Sequence, residues 1–274
     1  MTGRLVLVAT PIGNLADLSP RAVAAFADAD EIWCEDTRRT RTLLNHAGID
    51  GARLRAVHEH NEFAITTELV AAIRSGRTIA YASDAGMPGV SDPGARLVAA
   101  CVAHDLDVTV IPGPTAALSA LVVSGLPTDR FVFEGFLPRK GPDRKDALAR
   151  IARSDATTVV FESPNRVDAT IADLIAVCGD ERPAAVAREL TKMFEEVVRG
   201  PLRELAGLSP RGECVIVVGA APTPIAADDD AIDAALQAEF AAGSSARDAA
   251  AAVAVGLGVA KRRAYERALD LRAR

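Results

Sequence analysis

Aromatic side chains are scarce. They make up 4% of the 274 residues, with one tryptophan, two tyrosines and eight phenylalanines. With 49% hydrophobic residues overall, the core must be aliphatic and rich in alanine. The four cysteines, Cys34, Cys101, Cys178 and Cys214, stand far apart with no CxxC pair. This argues against a zinc site or a disulfide framework and fits a reducing compartment, with cysteine as a small buried hydrophobe. No apolar run reaches the ~18 residues of a membrane span. The opening MTGRLVLVATPIGN turns polar after one short apolar run, unlike a secretory leader. The expectation is a cytoplasmic protein with no membrane partner.

The usual nucleotide signatures are also missing. There is no GxxxxGK[ST], which argues against a P-loop enzyme, and no GxGxxG after the first apolar run, which argues against dinucleotide binding of the Rossmann kind. The sole GxG, Gly256-Leu257-Gly258, sits near the end and reads as a turn. The formal net charge of −6 argues mildly against a nucleic-acid partner, but local distribution counts for more than the sum. Basic clusters stand at TRRTR (37–41), PRKGPDRK (138–145) and AKRRAYER (260–267).

What is present is alternation. Buried-strand patterns at 4–10, 31–36, 54–60, 78–83 and 107–113 are separated by helical patterns at 19–30, 37–48, 64–76, 92–105 and 115–125. This implies an α/β fold with a parallel N-terminal sheet and right-handed crossovers. After a linker at 126–131 the pattern restarts, with apolar runs at 131–137, 157–163, 184–190 and 213–219, and helices at 144–154 and 166–179. Short turns near the end of this half predict a mixed second sheet. A Pro/Ala/Asp linker at 220–230 precedes an alanine-rich tail, in which 244–274 reads as a helical hairpin that either packs or contacts nucleic acid. The expected domains are 1–125, 126–221 and a linker with a small helical C-terminal domain at 222–274.

Ligands of open parallel sheets bind beyond the carboxyl ends of the strands. The five segments there are TPIGN (10–14), EDTRRT (35–40), HEHNE (58–62), SDAGMPGVSDPG (83–94) and PGPTAA (112–117). Most are built from glycine, proline and carboxylates, which predicts one shared cleft. In SDAGMPGVSDPG, small residues allow close backbone approach, with Asp84 facing the ligand and Asp92 capping a helix that begins at Pro93. A carboxylate-lined, backbone-rich cleft suits a cationic ligand with hydroxyls and an amide-like base, a description S-adenosylmethionine meets. In HEHNE, His58 and His60 share a strand face beside Glu59 and Glu62; metal binding, substrate hydrogen bonding and a structural polar cluster are all open there. In the second half, FESPNR (161–166) and VARELTK (186–192) put Glu162, Arg188, Glu189 and Lys192 at strand ends, which predicts a cleft between the two α/β domains.

VATPIGNL (8–15), CEDTR (34–38), HEHNE, SDAGMPGVSDPG, PGPTAAL (112–118), SGLPTDRFVFEGFLP (124–138), FESPNR and ARELTK (187–192) together resemble the bacterial 16S ribosomal RNA cytidine 2′-O-methyltransferase family, also called ribosomal RNA small subunit methyltransferase I, of the tetrapyrrole methylase superfamily. The resemblance spans 4–219, and the tail is similar to the small helical domain many members carry. It implies two α/β domains of the tetrapyrrole methylase type, a homodimer, and S-adenosylmethionine folded between the domains. Pro11, Asp84, Met87, Val90, Thr115, Ala116, Phe161, Ala187 and Glu213 are the cofactor positions it implies. Met87 stands where many relatives have threonine, and Asn165 where they often have histidine. The implied substrate is cytidine 1402 of 16S rRNA in the small subunit, methylated on its ribose.

The implied reaction is in-line displacement, with the 2′-oxygen attacking the sulfonium methyl. A sulfonium is already a good leaving group, so no metal is expected. The protein must align the reacting atoms and help remove the hydroxyl proton. Glu189, Lys192 and Glu162 are the candidates, and a lysine base would need its pKa lowered by burial or by a cation such as Arg188. Arg38, Arg39, Arg139, Lys140, Lys261 and Arg262 are the candidate RNA contacts. Rival readings are a tetrapyrrole or precorrin C-methyltransferase, a diphthine-type methyltransferase, and a non-catalytic RNA-binding assembly factor.

Overall fold

The computed structural model describes residues 3–57, 62–222 and 228–273. The chain forms two compact units, up to Ala221 and from Pro222 onward. Among the described residues no helix is long and apolar enough to cross a membrane.

The first unit opens with β1 (Arg4–Val8), α1 (Pro20–Ala27), β2 (Glu31–Cys34), α2 (Thr37–His46), β3 (Leu54–Ala56), α3 (Glu62–Arg74), β4 (Thr78–Ala82), α4 (Ala95–Ala103), β5 (Asp107–Ile111) and α5 (Ala116–Ser124). The strands pair in the order β3-β2-β4-β1-β5, all parallel. Their side chains alternate across the sheet. Leu5, Trp33, Ile79 and Tyr81 enter one core with Leu69, Ile73 and Leu97 of α3 and α4. Val6, Val8, Ile32, Ala80 and Ala82 enter the other with Phe26 and Leu44 of α1 and α2. Local chemistry sets several boundaries. Ser19 caps α1 ahead of Pro20 at its first turn. Asp36 caps α2 and Thr115 caps α5, while Gly125 closes α5 in the left-handed region.

One expected boundary moves. The helix after the glycine-rich loop starts at Ala95 rather than Pro93, its cap position is Gly94, and no side chain caps it. Gly94 has φ 131° and lies against the ring of Tyr81, which leaves no room for a Cβ. Asp92 therefore caps nothing. Of HEHNE, residues 58–61 lie outside the described residues, and with them the metal reading for His58, Glu59 and His60.

The unit continues with β6 (Phe131–Phe136), α6 (Pro142–Arg153), β7 (Thr157–Glu162), α7 (Val167–Cys178), β8 (Pro183–Arg188), β9 (Glu196–Pro201), the short α8 (Leu202–Leu205) and β10 (Cys214–Val218). The order is β6-β7-β10-β8-β9; β6 and β7 run parallel and the other pairs antiparallel, so the sheet is mixed. One face, with Val160, Val186, Ile216 and Val218, is covered by α6, α7 and α8. The other, with Val159, Ala185, Ala187, Val215 and Val217, receives Ala117, Ala120 and Leu121 of α5 together with Ile12. Helix α5 thus belongs to the chain of the first sheet and to the core of the second. Arg199 of β9 fastens it by donating twice to the Val123 carbonyl, at 2.9 and 2.6 Å.

The second unit holds α9 (Asp229–Ala241), α10 (Ala246–Gly256) and α11 (Lys261–Ala273). The expected hairpin corresponds to α10 and α11; α9 is additional. Its first turn is the aspartate run read as linker, with Asp228 as N-cap accepting from the Ala231 N–H. Ile232, Leu236, Ala250, Val253 and Ala264 form its core. Arg267 ties α11 to Asp233 and Asp229 of α9.

Candidate functional site

Three loops meet at the carboxyl edge of the first sheet. The loop after β1 pairs with the glycine-rich loop after β4 through reciprocal Thr10–Gly86 backbone hydrogen bonds of 2.9 and 3.1 Å. The space beside Gly86 faces Ile12 and the Pro114 carbonyl, which brings in the loop after β5. From the second sheet, Thr191 accepts a hydrogen bond from the Asn14 N–H at 3.1 Å. Between these segments lies an open cleft of about 220 Å³, lined by Pro11, Gly13, Arg39, Asp84, Lys192 and Glu213 among others.

One wall is acidic. The Asp84 carboxylate accepts from the Asp36 N–H (3.0 Å) and pairs with Arg39 (3.3 Å), while the Asp84 N–H donates to Glu35 (3.3 Å). Burial pushes the Asp84 and Glu35 carboxyls upward despite these partners. Asp92 rises further, to about 6, through burial first and then the negative charges of Glu35, Asp84 and Glu213, against a hydrogen bond from Ser83. The wall holds more carboxylates than its one arginine neutralises, so it favours a cation.

The opposite wall carries a fixed ammonium. Lys192 donates to Glu189 at 3.0 Å and to Glu213 at 2.9 Å. Burial alone would lower its pKa, but the two carboxylates outweigh that and the net shift is upward. The lowering a lysine base would need does not occur. Glu189 also accepts from the Glu213 N–H (2.9 Å), and that bond with the lysine holds its carboxyl below the usual range. The backbone here is unusual: Glu189 and Thr191 have φ of 49° and 67°, a conformation that costs energy in non-glycine residues and gathers at functional sites. Two glycines make the arrangement possible by close approach. A Cβ at Gly212 would overlap the Glu189 carboxylate, and one at Gly13 would overlap the Lys192 stem.

The remaining expected positions distribute as follows. Met87 and Val90 lie farther along the glycine-rich loop, with Val90 exposed. Thr115 and Ala116 start α5. Phe161 and Ala187 point toward α5, and the Phe161 ring meets Phe133 and Phe136 edge-on. Glu162 takes the opposite face of β7, as period-two alternation requires. It is 2% exposed, its carboxylate bound by Thr170 (2.7 Å), the Ser163 N–H (2.8 Å) and Arg166 (3.3 Å). The structure does not bring it to Lys192. Arg188 likewise pairs with Glu196 at 2.6 Å. Arg39 lines the cleft and Arg38 precedes it at the start of α2; Arg139 and Lys140 are exposed between β6 and α6; Lys261 and Arg262 open α11 in the other unit. The charge coupling of Glu35 and Asp92 to Asp84 was not anticipated, nor were the close contacts of Gly13 with Lys192 and of Gly212 with Glu189, although the Glu213 position beside Gly212 was expected at the cofactor. For Glu35 the EDTRR segment offered a signal; for the two glycines only the fold shows which side chains pass them.

A family model described as Tetrapyrrole (Corrin/Porphyrin) Methylases matches residues 4–206. A protein of Mycobacterium tuberculosis (strain CDC 1551 / Oshkosh) named "Ribosomal RNA small subunit methyltransferase I" is 46% identical over 99% of this chain and 96% of its own length. The Synechocystis protein of the same name is 47% identical over 80% of each chain. Among solved structures, uroporphyrin-III C-methyl transferase from Thermus thermophilus complexed with S-adenosyl homocysteine aligns with a TM-score of 0.56 and 22% identity, covering 79% of this chain and 97% of that one. This last likeness is one of fold.

Proposed function

The chain belongs to the tetrapyrrole methylase family, and from that premise we propose that it is an S-adenosylmethionine-dependent methyltransferase of small-subunit ribosomal RNA. The observation that carries this reading is the 46% identity to a ribosomal RNA methyltransferase over 99% of the chain, a span that takes in the C-terminal helices. The finer reading is transfer to the ribose 2′-hydroxyl of cytidine 1402 in 16S rRNA, by a homodimer in the cytoplasm. Support for self-association comes from α5, which is apolar all round yet leaves Leu118 and Val122 exposed, and from the edge strand β5, which exposes Val110.

The cleft suits the cofactor chemically. When bound, S-adenosylmethionine supplies an electrophilic methyl group on a cationic sulfonium. Asp84 lines the cleft, and Glu35 and Asp92, coupled to it by charge, add to a carboxylate cluster that complements this charge. The loops after β1, β4 and β5 let backbone approach closely. Lys192, held as an ammonium, orients the incoming hydroxyl and stabilises negative charge that develops on its oxygen, a contribution worth about 3–4 kcal/mol once bound substrate and cofactor exclude water. Glu189 fixes the lysine in place, and the hydroxyl's proton leaves to water through the open side of the cleft. The decisive experiment is transfer of tritiated methyl groups to undermethylated small subunits and to naked 16S rRNA, followed by nucleoside mapping. Label in 2′-O-methylcytidine is the expected result. No label on RNA, with label on a tetrapyrrole offered in a parallel reaction, overturns the reading.

A further inference from the structure

In a chain with so few aromatic residues, Phe194 is 67% exposed and its neighbour Met193 91% exposed. Both sit at the tip of the β8–β9 connection, directly after Lys192. This connection is stiff. The Lys192 N–H donates to the Glu189 carbonyl (3.0 Å), the Glu195 N–H to the Lys192 carbonyl (3.1 Å), and the Thr191 N–H to the Glu195 carboxylate (2.5 Å). The Asn14–Thr191 bond pins it to the first sheet's loops, and the Lys192 ammonium pins it to Glu189 and Glu213. A rigid mount that carries an exposed ring loses little entropy when the ring meets a partner.

The surroundings indicate what that partner is. Arg39, its side chain 68% exposed, lines the same cleft as Lys192, and Arg38, 90% exposed, precedes it in α2. The nearby carboxylates are engaged: Glu195 with the Thr191 N–H and Glu196 with Arg188. An aromatic platform beside a reactive cleft with cations on α2 matches the requirements of single-stranded RNA, whose bases stack on exposed rings while its phosphates meet arginine. A ribose hydroxyl can reach a cleft of this size only if its nucleotide leaves the helical stack, which also unstacks a neighbour.

Resting on the proposed RNA methyltransferase reading, we propose that Phe194, flanked by Met193, is the stacking platform for a nucleobase next to the methylated nucleotide. Phe194 is then a substrate-positioning residue, and it takes no part in holding the cofactor.

The test uses the full-length protein and undermethylated small subunits. Phe194→Ala is expected to lower kcat/KM for the subunit by roughly 5- to 150-fold, the worth of one base–ring stack. The loss should fall mainly on KM, Phe194→Trp should restore it, and the Kd for S-adenosylmethionine and the sedimentation coefficient should not change. If the wild type methylates subunits and Phe194→Ala matches it, or if Phe194→Ala changes self-association, the platform is refuted and the methyltransferase reading stands. If the wild type transfers no methyl group to RNA, both fall.

Discussion

The ammonium of Lys192 stands 2.9 Å from the carboxylate of Glu213, so the second sheet offers the cleft a fixed cation rather than a free amine. Lys192→Met keeps the stem that fills the space beside Gly13 and removes only the charge. Methyl transfer should fall by about 10²–10³-fold, with cofactor affinity retained. The raised lysine pKa gives the pH dependence its sign: the ion pairs stabilise the folded protein below the lysine's ordinary 10.5 and are lost as pH rises through its higher folded value. Activity should therefore show no ascending limb attributable to Lys192 between pH 6 and 9. A pH–rate profile and a binding isotherm check both points.

Gly13→Ala tests the same lysine from the other side. The added methyl would overlap the Lys192 stem and crowd the Thr191 hydroxyl, which accepts from the Asn14 N–H. Activity should drop about tenfold or more, with the melting temperature almost unchanged. Equal activity would mean that the lysine's position is not critical.

Asp92 sets a second pH dependence. Its carboxyl is raised from 3.8 to about 6, so the free protein binds this proton more tightly than the unfolded chain. Stability from this group is greatest at low pH and falls as pH rises from about 4 through 6. A cation in the cleft should reverse the preference and expel the proton. S-adenosylmethionine should bind more tightly at pH 7.5 than at 5.5, S-adenosylhomocysteine should show a smaller change, and Asp92→Asn should flatten the difference. Calorimetry in two buffers measures the proton release directly.

The positions of the strands and most helices were legible because local rules and packing agree. Leu5 and Val6 part to opposite cores as alternation demands, and Ser19-Pro20 starts α1 as capping demands. Asp92 was misread because the helix start depends on Gly94 at φ 131° against Tyr81, a contact made only in the folded sheet. The α9 helix was missed because its acidic first turn, from Asp229, resembles a solvated linker until Asp228 is seen capping it. Within the site, the carboxylates and Lys192 could be named from the sequence. A shared cleft could be expected from them, but the contact that closes it could not: the bond that seats the lysine loop joins Asn14 to Thr191, 177 residues apart.

Thr170 gives a stability prediction away from the cleft. Its hydroxyl donates to Glu162 at 2.7 Å and accepts from Arg144 at 3.0 Å, with no exposure to water. Thr170→Val keeps the shape but leaves both charged partners short of a bond, at a cost of about 1–3 kcal/mol. A lowered melting temperature with unchanged kcat per folded molecule is expected. If Glu162 instead acts on substrate, kcat will fall with it.

Arg38 gives the electrostatic test of RNA contact. Its guanidinium meets Asp36 twice, at 3.3 and 2.9 Å, and the pairing holds the Asp36 carboxyl down at about 2. The Arg38 side chain is 90% exposed and that of Asp36 26%, and surface pairs of this kind give little net stability, so the arginine can exchange this partner for a phosphate at small cost. Arg39 is a poorer probe, because it also neutralises Asp84 within the cleft. Arg38→Gln should weaken RNA binding at low salt and reduce the slope of log affinity against log salt by about one unit or slightly less. Cofactor binding should stay as in the wild type. The same slope measured for Arg139→Gln and Lys140→Gln shows whether the loop between β6 and α6 lies under the RNA as well: a change in slope places a phosphate there, and an unchanged slope confines the contact to the start of α2.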